Sequence, residues 1–242
     1  MKVELQNITV KRGSKIVLNQ LTASFTGPGL YQVIGPNGSG KTTLLLTIIG
    51  RIKPIAGRVL VDGVVVNNPG LIRGLVSYMP QQYAIPVDAP LTLYEFVWNI
   101  ASVSKKSINV EEILELTGIG REHWFKKISQ LSSGLLQRAM LARTLALGTP
   151  IILLDEPLSN IDPEGKVDLS HYIGELSKRK LVIVTSHDPI LLLDYTSKIL
   201  VLGPGYYAFG SAEEILKLEV LSKFYRKCAV ELQKHIHIID WH

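Results

Sequence analysis

A single cysteine, Cys228, stands among 242 residues, so no disulfide can form within the chain. One thiol fits a reducing compartment, and it is expected to serve as a small buried hydrophobe. Long uncharged apolar runs are also missing: even Leu181 to Leu202 is interrupted by His187, Asp188, Pro189, Asp194 and Lys198. The chain is therefore not expected to span a membrane itself. No signal-like leader precedes the alternating pattern that starts at Met1-Lys2-Val3-Glu4. A basic stripe of the kind that tracks nucleic acid is absent too. The net charge is only +5, and Lys and Arg are scattered apart from short runs such as Lys105-Lys106 and Lys178-Arg179-Lys180. Solvated faces, or affinity for nucleotide and acidic membrane surfaces, account for that charge, and no nucleic-acid partner is expected. There is no internal repeat and no low-complexity linker. What the chain does have is apolar mass. At 46% hydrophobic residues it has enough to exclude disorder and to fill a large core, in one elaborated domain or two small ones.

One stretch organises the rest. Gly35-Pro36-Asn37-Gly38-Ser39-Gly40-Lys41-Thr42 fits G-x-x-x-x-G-K-S/T, the loop that wraps nucleotide phosphates. Leu30 to Ile34 before it reads as a buried strand, and Thr43 to Ile49 after it as the opening of a buried helix, which is the context the motif needs. Glycines let the backbone approach phosphate oxygens, so successive N–H groups and the positive end of the helix face the anion. Lys41 adds a mobile positive charge for the β- and γ-phosphates, and the Thr42 hydroxyl is a ligand for Mg²⁺.

Along the chain, Val3 to Val10 and Ile16 to Phe25 read as two strands around Arg12-Gly13-Ser14. Val59 to Val66 reads as a hairpin around Asp62-Gly63, an antiparallel attachment to a parallel core. Ile72 to Met79 returns to strand character. Residues 87–148 read as a helical insertion, with helical spacing over Leu93 to Val103 and Val110 to Thr117 and an Ala-rich helix from Ala139 to Leu147. Ile151 to Leu154 is a strand buried on both faces that runs into Asp155-Glu156. Carboxylates at such a strand end are costly unless they meet cations or solvent. In a phosphate-loop protein the reason for them is Mg²⁺ and an attacking water. Pro163 to Lys178 reads as a helix, and Leu181 to Thr185 as another parallel-type strand, ending at Ser186-His187. Three strand ends thus deliver Gly35, Asp155 and His187 to one edge. Lys198 to Leu202 and Tyr206 to Phe209 suggest two last strands. Ser211-Ala212-Glu213-Glu214 is a capping box that opens a helical tail over 211–242. His235, His237, Asp240 and His242 in that tail are metal-capable side chains, with a frayed end as the competing reading.

Taken together, the chain resembles the nucleotide-binding subunit of an ATP-binding cassette (ABC) transporter over nearly its whole length. Gly35 to Thr42, with Thr43 behind it, resembles the family's Walker A loop. Ile151 to Glu156 resembles its Walker B strand and catalytic glutamate, and Gln81 its Q-loop glutamine. Leu131-Ser132-Ser133-Gly134, followed by Gln137-Arg138, resembles the signature sequence. Ser159 to Asp162 resembles the D-loop, and His187 the switch histidine. The resemblance implies an α/β fold, a P-loop NTPase of ABC type: one domain over 1–242, with a nucleotide-binding core at 1–86 and 149–210 and a helical subdomain at 87–148. It implies ATP and Mg²⁺ as cofactors, with Glu156, His187 and Lys41 catalytic and Thr42, Gln81 and Asp155 around the metal. It implies Ser132 and Gly134 reaching ATP held by another copy, and Asp162 at the D-loop.

The implied partners are transmembrane permease subunits and a second copy or a paralogous ATPase subunit, with a substrate-binding protein as a further candidate. The implied place is the cytoplasmic face of the cell membrane. Gln81 to Val97 and Tyr207 to Glu214 are similar to matching stretches in importers of metal ions and metal chelates. An exporter subunit and a weakly hydrolysing regulatory module remain as alternatives. Three departures stand out: Ser133 and Leu135 replace the first Gly and the Gln of the usual signature, Arg12 occupies the place of the aromatic that stacks on adenine, and Asn160-Ile161 replaces a small-Leu pair.

Overall fold

Alternation of apolar and polar side chains produces β1 (Lys2–Arg12) and β2 (Lys15–Thr26), which pair antiparallel; Val3 and Leu5 of β1 and Leu21, Ala23 and Phe25 of β2 are buried with more exposed residues between them, and the register shifts between Leu5 and Ile8. In the computed structural model, which describes residues 1–81, 90–104, 106–225, 229–232 and 235–238, the chain then enters β3 (Gly29–Ile34) and α1 (Lys41–Ile48). β4 (Ala56–Val61) and β5 (Val64–Val65) form the hairpin around Asp62 and Gly63, both at positive φ, as a two-residue hairpin turn requires. Together β2-β1-β4-β5 make a four-stranded antiparallel sheet.

The larger sheet has six strands. β6 (Val76–Met79) pairs with β7 (Ile151–Asp155), β7 with β8 (Leu181–Thr185), β8 with β3, and β3 with β9 (Thr196–Gly203), all parallel, and β10 (Tyr206–Gly210) closes one edge antiparallel. Its central strands are apolar on both faces. Ile151 and Leu153 point to the side of α1 and the antiparallel sheet, while Ile152 and Leu154 point to the helical side. That helical side holds α2 (Leu93–Ala101), α3 (Val110–Leu116), α4 (Ser133–Leu145) and α5 (Pro163–Ser177).

Several expected boundaries move. Ile72 ends a 3₁₀ turn, Pro69–Ile72, capped by the Asn68 side chain, so β6 begins four residues later than the apolar pattern suggests. The Ala-rich helix starts at Ser133, so the signature residues Ser133 and Gly134 are its first turn and not a loop ahead of it. The tail is not helical throughout. After α6 (Ala212–Ile215), with its Ser211–Glu214 capping box, and α7 (Leu218–Tyr225), the backbone turns into β11 (Ala229–Leu232) paired antiparallel with β12 (His235–Ile238). Cys228, Asp240, His242, Gln82 and the segment 82–89 lie outside the described residues.

Candidate functional site

Strand register decides which loops meet. Val33 of β3 and Asp155 of β7 both pair with Thr185 of β8, so the residues that follow, Gly35, Glu156 and His187, leave the sheet at one edge. Loops beyond the carboxyl ends of parallel strands are where such sheets bind ligands.

The glycine loop is built as its motif demands. Gly35 has φ 148, and a Cβ there would lie 2.3 Å from the Leu202 carbonyl oxygen; Gly40 has φ 107, and its Cβ would lie 2.6 Å from Val17 Cγ1. Both positions exclude a side chain by conformation and by space. α1 starts directly after Gly40 with no side-chain cap and no acidic residue in its first turn, which leaves its positive end to a ligand. Lys41 is buried, donates from Nζ to the Gly35 carbonyl at 2.8 Å, and stands 3.9 Å from Glu156 Oε1. Ser39 is buried in the loop, and among the described residues its Oγ has no hydrogen-bond partner. Residues 37–43 line a cleft of about 290 Å³ with Arg12, Val17, Gln81 and Glu156, while Pro36 is half-buried behind them. An anion with several acceptor oxygens matches this surplus of donors.

Glu156 is the centre of the polar contacts. Its carboxylate accepts from Gln81 Nε2 at 2.6 Å and lies 2.6 Å from His187 Nε2, with Lys41 just beyond. Burial works to raise its pKa, but the hydrogen bond and charge of His187, the charge of Lys41 and the Gln81 bond outweigh it, leaving the carboxyl below its ordinary value. The residue sits at φ 52, in the left-handed region that an L side chain seldom adopts. Asp155 is fully buried and accepts from Thr185 Oγ1 at 2.6 Å and from Tyr78 Oη at 3.3 Å; burial, then the Asp155 charge and bond, pushes the Tyr78 hydroxyl well up.

The sequence-predicted residues fall into two groups. Arg12, Gln81, Glu156 and 37–43 share the cleft; Asp155 and His187 join it through Thr185 and Glu156. Leu131, Ser132, Ser133 and Gly134 do not line it. Ser132 caps α4, its Oγ accepting from Leu135 N–H at 3.3 Å, and both Ser132 and Ser133 are exposed. Asp162 caps α5 by accepting from Gly165 N–H. Sequence reasoning missed Tyr78 and Thr185, and it named Gln137 only as part of the signature, without its contact to Glu156. A threonine closing the apolar run Leu181 to Val184 was a visible signal for the second. Gln137, buried, donates to the Glu156 carbonyl at 3.0 Å.

Comparison with known proteins comes to the same place. The ABC transporter family profile matches residues 18–159. The zinc import ATP-binding protein ZnuC 2 of Aliivibrio fischeri is 32% identical over 89% of this chain and 84% of its own length. The manganese transport system ATP-binding protein MntB of Bacillus subtilis is 33% identical over 92% of both chains. A dimeric ATP-binding cassette solved in a post-hydrolysis state with ADP and Pi superposes with a TM-score of 0.75 at 26% identity, covering 85% of this chain and 97% of that one. A profile that spans more than half of the chain, and relatives aligned over most of their lengths, make this protein a member of the ABC transporter family, an ATP-binding subunit and an ATPase.

Proposed function

We propose that this chain drives a membrane transporter by closing with a second copy, or a paralogous subunit, around ATP, and that Glu156 directs the hydrolysis that reopens the pair. The contact set of Glu156 carries this reading. Its carboxylate is held by Lys41, His187 and Gln81, which are also the groups suited to phosphate and to the metal. When ATP enters, its γ-phosphate offers Lys41 and His187 a stronger anionic partner. The carboxylate they release accepts a hydrogen bond from water, the water oxygen attacks Pγ, the bond from Pγ to the bridging oxygen breaks, and the proton passes to Glu156.

The donor set also fits Mg²⁺. Thr42 supplies a hydroxyl, Gln81 an amide oxygen and Asp155 a carboxylate whose orientation Thr185 and Tyr78 hold. No cluster of three or more His, Cys, Asp or Glu exists among the described residues, so a cation here depends on nucleotide oxygens and water, as Mg²⁺ usually does. Bound there, it would neutralise charge on the β- and γ-phosphates.

Ser132 and Gly134 sit at the exposed start of a 13-residue helix, away from the chain's own cleft, which suits a phosphate presented by a second copy. Within the single unit 1–242, residues 1–86 and 149–210 act as the nucleotide core and 87–148 as the helical subdomain that carries the signature. No helix among the described residues is long and apolar enough to cross a membrane. On this reading the chain works at the cytoplasmic face of the membrane through permease subunits, and its similarity to zinc and manganese transport subunits supports metal-ion import.

Phosphate release by wild type and Glu156→Gln tests the mechanism: equal rates would remove Glu156 from it. Zinc or manganese uptake by the chain reconstituted with its copurifying membrane subunits tests the direction and the cargo, and outward transport would overturn the import reading.

A further inference from the structure

Gln137 takes no part in lining the nucleotide cleft, yet its amide is buried against the backbone of Glu156. Nε2 has two protons, and two acceptors meet it: the Glu156 carbonyl oxygen at 3.0 Å and Ser159 Oγ at 3.4 Å. Ser159 Oγ in turn donates to the same carbonyl at 2.9 Å, closing a triangle. On the other side of the residue, Glu156 N–H donates to Thr185 Oγ1 at 2.9 Å. Both peptide groups that flank the Glu156 Cα are therefore held, and φ between them is 52. Without those holds a non-glycine residue relaxes towards negative φ, and that rotation carries the carboxylate away with it.

We propose that Gln137 is a positioning residue that fixes the direction of the Glu156 carboxylate and ties it to the helix that carries Ser132 and Gly134. The tie has three points. Gly134 lies against the next segment, where a Cβ would sit 3.3 Å from the Asn160 carbonyl oxygen. Gln137, one turn later, grips Glu156 and Ser159. Arg138 donates to the Thr117 carbonyl at 3.0 Å, anchoring α4 to the end of α3. A displacement of α4 is consequently felt at Glu156 of the same chain. This rests on Glu156 being the group that handles the attacking water.

The test uses the full chain in four forms: wild type, Gln137→Met, Glu156→Gln and the double variant, with steady-state phosphate release and ATP titration. Methionine keeps the volume and removes the donor. Gln137→Met lowers kcat about tenfold with KM for ATP within about twofold, and adds no further loss to Glu156→Gln, because a group acting through another is not additive with it. An unchanged kcat, a loss confined to KM, or the same loss in both backgrounds overturns the proposal. If Glu156→Gln alone matches wild type, the mechanism itself fails and the proposal with it. Should Gln137→Met not fold, Ser159→Ala removes the second donor to the same carbonyl from a half-buried position and is read the same way. A drop in kcat of about threefold is then expected at an unchanged melting temperature, and no drop overturns the idea.

Discussion

Glu156 must stay ionised in a buried place, and its neighbours achieve that. Because burial is outweighed by His187, Lys41 and Gln81, the folded pKa lies below the ordinary 4.5. A depressed carboxyl pKa contributes stability above the unfolded value, and that contribution is lost as pH falls through the folded one. Urea midpoints measured from neutral pH to below pH 4.5 should therefore decline less steeply on the acid side in Glu156→Gln than in wild type; identical slopes would mean that the three neighbours do not hold the charge. At neutral pH the same variant should lose phosphate release about 100-fold while retaining ATP binding. At Gly35, Ala would meet the Leu202 carbonyl at 2.3 Å and impose strain of about 1–3 kcal/mol, so both melting temperature and nucleotide affinity should fall. The loop glycines, Lys41, Asp155 and Glu156 were legible because each residue type has a physical job at that spacing. The contacts of Thr185, Tyr78 and Gln137 were not, because they are set by register across strands and by the packing of a helix, neither of which a local pattern contains.

Among the elements, the strands were easiest to read. β7 and β8 are apolar on both faces because they lie mid-sheet, and the polar residue that ends each one marks the functional edge. Helix starts were harder. Thr92 and Glu95 form a capping box on α2, and Asn109 caps α3 by accepting from Glu112 N–H, signals that apolar spacing alone passes over. Asn109→Ala should cost about 1 kcal/mol in urea denaturation and leave phosphate release unchanged, since Asn109 touches nothing in the cleft. The tail was misread for a plain reason. His235-Ile236-His237-Ile238 alternates with period two, the strand signature, but the capping box at Ser211 invited the helix to be extended too far.

On the scale of the whole molecule, the two halves of the proposed nucleotide site do not meet within one copy. The glycine loop and Glu156 line a cleft, while Ser132 stands exposed at the head of α4. The parallel character of the core was legible in its doubly apolar strands, whereas strand order and the placement of α2 to α5 on the side of the sheet opposite α1 are non-local and lie in no local pattern. Two incomplete halves in each copy predict a head-to-tail pair joined by ATP. The most direct test is the solution mass of Glu156→Gln with Mg-ATP, measured by light scattering with and without a second substitution, Ser132→Arg. The account predicts a twofold rise in mass on adding ATP, abolished by Ser132→Arg although ATP still binds. A mass unchanged by saturating ATP, or a dimer indifferent to Ser132→Arg, would contradict it.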